Sequence, residues 1–107
     1  MRADHEGMLV VRAELCDRLD SLQRAAARMN VRDFSKAIGS IRTMAAAYGL
    51  SPVVCLADAL ERAMRAQPRG CPAGLYFERL RDAIGCERLD DQASEALLAS
   101  VSVRLGA

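Results

Sequence analysis

Apolar residues recur at steps of three and four along almost the whole of this chain. That is the spacing of one face of an α-helix. From Met8 the stripe runs Val11, Leu15, Leu19, Leu22, Ala26 and Met29. A second runs Phe34, Ala37, Ile38, Ile41, Met44, Ala45 and Tyr48. A third runs Val53, Leu56, Leu60, Ala63 and Met64. Nowhere does a β-branched alternation of useful length appear. With two Tyr, two Phe and no Trp, the core has to be built from Leu, Ala, Val, Ile and Met, mostly good helix formers.

Punctuation divides the stripes into helices. The first is expected over about Gly7 to Asn30, with Asn30 as its stop and 1–7 as a polar tail. Glu14 with Arg18 and Asp20 with Arg24 are acid-first i,i+4 pairs on its wet side. The second runs from about Asp33 to Tyr48, with Gly49 suited to a left-handed position after the last turn. Ser51-Pro52 restarts the helix, Ser as N-cap and Pro at the first helical position. The third helix ends before Gln67-Pro68-Arg69-Gly70-Cys71-Pro72, the clearest loop. A fourth, shorter helix covers about Ala73 to Ile84. A fifth covers about Asp90 to Leu105, with Ala93, Leu97, Val101 and Leu105 on one side. Amphipathic helices with short connections imply an all-α antiparallel bundle. At 107 residues, the chain 1–107 reads as one domain.

Composition excludes more than it selects. Fifteen basic and fourteen acidic residues leave a net charge of +1, which argues against a general nucleic-acid or anionic-membrane surface. No apolar run approaches the roughly 18 residues of a membrane span. Met1–Gly7 is polar and Met8–Val11 is too short for a signal-peptide core, so a cytoplasmic chain with reduced thiols is expected. Cys16, Cys55, Cys71 and Cys86 allow three disulfide pairings, but the plainer reading is small buried hydrophobes. They lack the paired spacing of structural zinc, so no metal or cofactor is expected. His5 is the only imidazole, so no Ser/His/Asp or Cys/His arrangement can be assembled. The enzymatic route left is a cysteine with lowered pKa beside an arginine. The reading is therefore a non-enzyme.

The near-neutral total conceals an uneven distribution. From Arg24 to Arg42 the chain carries five basic residues and only Asp33 as an acid. The outward side of the second helix presents Arg32, Ser35, Lys36, Gly39, Ser40, Arg42, Thr43 and Ala46. A flat, basic, small-residue face suits docking against an acidic surface. The plainer reading is a solvated helix face whose small residues pack on a neighbouring helix. Gly39, inside the helix, costs about 1 kcal/mol relative to Ala, which close approach of another backbone would offset.

The run from Ala37 to Leu50 resembles the signature helix of histidine phosphotransfer domains, loosely Ala-His-x-Leu-Lys-Gly, five residues, then Gly. With Gly49 on the final glycine, Ile41 falls on the apolar position and Arg42 on the lysine. Thr43 falls on the inner glycine, and Gly39 on the phosphoaccepting histidine. Leu60-Glu61 matches a Leu-Glu pair common in the following helix. The resemblance covers about Arg32 to Met64. It implies a four-helix bundle of the histidine phosphotransfer type with one additional short helix. It also implies docking of a response-regulator receiver domain or a sensor histidine kinase in a two-component phosphorelay. Gly39 has no side chain, so no phosphohistidine forms there. Arg42 keeps a planar fork able to contact an anion. The expectation is a phosphotransfer-dead interaction module, with Arg32, Ser35, Lys36, Gly39, Ser40, Arg42, Thr43 and Ala46 as its partner-binding face. The alternative is a homodimer in which Gly39, Ser40, Thr43, Ala46 and Ala47 let two helices approach closely.

Overall fold

The computed structural model describes residues 4–85 and 98–101, which form helices and short connections with no strand among them. The four substantial helices are α1 (Asp4–Ala25), α2 (Val31–Ala47), α3 (Ser51–Ala66) and α4 (Ala73–Gly85). A three-residue 3₁₀ turn, Ala26–Arg28, follows α1. The expected fifth helix lies largely outside the described residues, including Ala93, Leu97 and Leu105. Its residues 98–101 are helical, and Val101 is buried as its stripe requires.

In α1 the stripe buries Val11, Leu15, Leu19 and Leu22. Glu14 holds Arg18 at 2.9 Å as its spacing implies, but the Asp20–Arg24 pair gives way to a cross-helix one: Asp20 accepts from Arg81 of α4. The first helix also ends earlier than its stripe suggests. Beyond the 3₁₀ turn, Met29 and Asn30 are extended, and the Asn30 side chain accepts from the Asp33 amide at 2.8 Å. Asn30 therefore starts α2 as its N-cap instead of stopping α1, and α2 begins at Val31.

The link between α2 and α3 is a compact device. Gly49 adopts φ +73°, the left-handed region that a Cβ disfavours. The Leu50 amide returns to the Ala45 carbonyl at 2.9 Å and the Gly49 amide to Ala46 at 3.2 Å, the bond pair of a Schellman motif. The Leu50 carbonyl then accepts from both Val53 and Val54 at 3.1 Å. Leu50 thus closes one helix and opens the next, so Leu50, not Ser51, is the N-cap of α3, without a side-chain cap bond. Leu50 is fully buried, and Tyr48 turns outward to 50% exposure. The chain reverses on Gly49, so the inward position expected of Tyr48 passes to Leu50.

Packing follows the stripes. Phe34, Ile38, Ile41 and Ala45 of α2 meet Val53, Leu56, Ala57 and Leu60 of α3 in one core with Tyr76, Phe77, Leu80, Ala83 and Ile84 of α4. The Phe34 and Phe77 rings stand edge-on, 6.3 Å apart at 62°. α2 packs on α1 and most extensively on α3, α3 packs on α4, and α4 closes back on α1. This leaves one long side of α2 uncovered by any described element.

Candidate functional site

The uncovered side of α2 carries the residues singled out from sequence. Arg32, Lys36, Ser40, Thr43 and Ala46 are exposed, while Ser35, Gly39 and Arg42 are half-buried. Burial of Phe34, Ile38, Ile41 and Ala45 fixes this arrangement, since side chains 100° apart cannot all face the core. The eight do not act as one exposed patch. Ser35 and Arg42 lean toward α3. Ser40 leans toward α1, where its Oγ accepts from Arg18 Nη1. The Ser35 Oγ is buried with no hydrogen-bond partner. Arg32 and Lys36 have no ion-pair partner among the described residues, so they are the free charges of this face.

Arg42 is committed within the molecule. Its Nη1 lies 2.6 Å from Glu61 Oε1 and 3.5 Å from Asp58 Oδ1, both on α3. Glu61 is only 7% exposed, and its other oxygen accepts from Arg65 Nη2 at 2.7 Å. Arg62 pairs with Asp58 at 3.7 Å. A buried carboxylate held by two guanidinium groups is satisfied at both oxygens, which offsets its desolvation. The sequence shows the i,i+4 pairs Asp58–Arg62 and Glu61–Arg65, but only the packing of α2 on α3 brings Arg42 to them.

Gly39 is not a close-approach glycine. A Cβ there would meet only Arg42 Nη2, at 3.8 Å. No backbone crowds the position, so packing does not require glycine. The guanidinium of Arg42 lies along the α2–α3 seam beside the place a residue-39 side chain would occupy.

On the α1 side, a groove of about 370 Å³ borders the same face, lined by Arg18, Leu22, Ala25, Met29, Ala37 and Ser40. Among the described residues, no three His, Cys, Asp or Glu groups are placed to hold a metal ion. Cys16, Cys55 and Cys71 are free and partly buried. Burial, reinforced by Asp20, pushes the Cys16 thiol above its ordinary value, and burial does the same for Cys71. This is opposite to what a cysteine nucleophile requires. Cys86 and the side chain of His5 lie outside the described residues. No described helix is long and apolar enough to cross a membrane.

Compared with family models, with curated proteins and with solved structures, the chain matches none of them.

Proposed function

We propose that the chain is a docking module resembling a histidine phosphotransfer domain, one that binds a receiver domain or a sensor histidine kinase without accepting phosphate. The observation that carries this reading is Gly39. It sits at mid-helix, half-buried beside the α2–α3 seam, with space for a side chain and with Arg42 three residues on. A glycine that packing does not require, at the place the resemblance assigns to the phosphoacceptor, is what a histidine replaced by glycine leaves behind. The closed order of helix packing, α1 to α2 to α3 to α4 and back to α1, supports an antiparallel four-helix bundle of that type.

Docking rests on charge and on small size. The family's receiver partners present an acidic pocket, and Arg32 and Lys36, with no ion-pair partner among the described residues, lie two turns and one turn before Gly39 on α2. With no acceptor group, binding occupies the partner without altering it, so the effect is competition or sequestration. The test is titration of receiver domains from the source organism at low and high salt. The reading expects a complex that weakens with salt and weakens further in an Arg32→Ala, Lys36→Ala variant. Absence of any salt-sensitive complex overturns it.

A second reading has its own observation. Leu9 and Val10 on α1 and Tyr48 after α2 are large apolar side chains left exposed. These suit a self-associating protein in which a second copy covers them. Light scattering separates the two readings, since self-association requires a dimer that persists on dilution.

A further inference from the structure

The groove between α1 and α2 is one end of a longer open seam. Arg18 Nη1 donates to Ser40 Oγ, seven residues before the last residue of α1 and nine after the first of α2. The two helices therefore run in opposite directions. Eight residues back along α1 and eight forward along α2 bring Val10 level with Tyr48. On α1 the seam row is Val10, Glu14, Arg18, Ser21 and Ala25, and on α2 it is Ala37, Ser40, Met44 and Ala47, both in steps of three and four. All of these are exposed or half-buried, and no described element covers either row.

The seam has a raised end and a hollow end. Val10 is 68% exposed and Tyr48 50%. At the other end the groove of about 370 Å³ has Leu22, Ala25, Met29 and Ala37 in its walls. Between them stands the Glu14–Arg18 ion pair, whose side chains are 45% and 40% exposed. Val10 lies four residues before Glu14, and Leu22 lies four after Arg18, each about 6 Å along the axis. Along α1 the order is apolar, acidic, basic, apolar. Reversed and laid against itself, that order sets opposite charges together and puts the raised end over the hollow one. A surface of this kind is self-complementary about a two-fold axis through its centre.

We propose that a second copy of this chain covers the α1–α2 seam, with the two-fold axis at the Glu14–Arg18 pair. Antiparallel pairing of the two α1 helices sets each Glu14 against the second copy's Arg18 and each Val10 over the second copy's groove. On α2 the same axis brings Tyr48 level with Lys36 and Ala37 of the second copy, where an ammonium can sit on the ring face. Two half-exposed ion pairs become a ring of four alternating charges, which fixes the register. Asp17 stays on the outer rim, in solvent that screens it. This rests on the self-association reading and gives it a face.

The experiment is sedimentation velocity of the full chain under reducing conditions over a range of concentrations. The samples are wild type, Glu14→Arg, Arg18→Glu and an equimolar mixture of those two variants. Wild type is expected to be a dimer. Each variant alone sets like charges together at the axis, so its dissociation constant should rise at least tenfold. The mixture restores both cross-copy pairs and is expected to dimerise. Both residues are half-exposed, so circular dichroism should show each variant folded. Val10→Ser, at a site open to solvent in the single chain, should weaken the dimer about tenfold. A wild type that stays monomeric overturns the self-association reading and this face with it. A wild-type dimer that the charge reversals or Val10→Ser leave intact overturns this face alone, as does a mixture that stays monomeric.

Discussion

Arg42 Nη1 on α2 and Glu61 Oε1 on α3 lie 2.6 Å apart, so the cation best placed beside Gly39 is engaged by a buried carboxylate of its own chain. Arg42 is therefore a brace between two helices before it is an anion-binding group. Its side chain is still 36% exposed, and an approaching anion has to compete with Glu61 and Asp58 for it.

Glu61→Gln removes that competition while keeping the shape of the side chain. The variant should bind an acidic partner more tightly than the wild type, by release of Arg42, and should be less stable by about 1–2 kcal/mol through loss of two charge-assisted bonds. Parallel titration and chemical denaturation check both. Arg42→Ala should be destabilising by about 1–3 kcal/mol, because one Glu61 oxygen loses its partner in a buried setting.

Gly39→Ala should stabilise the fold by about 0.5–1 kcal/mol, since it removes backbone freedom from mid-helix and creates no contact shorter than 3.8 Å. For a domain of this size that raises the melting temperature by several degrees. Thermal denaturation followed by circular dichroism measures it.

Gly49→Ala should act in the opposite direction. At φ +73° an added Cβ costs about 1–2 kcal/mol, and the strain falls on the turn that lets Leu50 enter the core. Denaturant unfolding of the two glycine variants side by side tests the contrast between a glycine the backbone requires and one it does not.

Cys16 and Cys71 should alkylate slowly at neutral pH, because burial raises both thiols and lowers their thiolate fraction. Since the folded state holds these protons more tightly than the unfolded chain, the associated stability is present below the ordinary thiol pKa. It is lost as pH rises through the higher folded values. Mass-spectrometric mapping of iodoacetamide labelling against pH, with a denatured control, checks the order.

The sequence carries the helices and most of the core, because the period of Val11, Leu15, Leu19 and Leu22 or of Phe34, Ile38, Ile41 and Ala45 is local information. Boundaries were less legible. Asn30 serves equally as the end of one helix or the start of the next, and only its bond to the Asp33 amide decides. Tyr48, expected inward, turns out, and Leu50 enters the core instead, because one glycine reverses the chain between them. The candidate face was legible as a stripe, but its division was not. Ser40 answers to Arg18 and Arg42 to Glu61 through helix packing, which spacing along one helix does not encode.

The central claim is that α2 is a phosphotransfer docking helix whose acceptor position holds glycine. It is tested most directly by presenting wild type and Gly39→His with receiver domains phosphorylated by radiolabelled acetyl phosphate. The account predicts no label on the wild type and acid-labile label on Gly39→His, transferred back on addition of unphosphorylated receiver. Failure of a folded Gly39→His variant to acquire label from any receiver would contradict it.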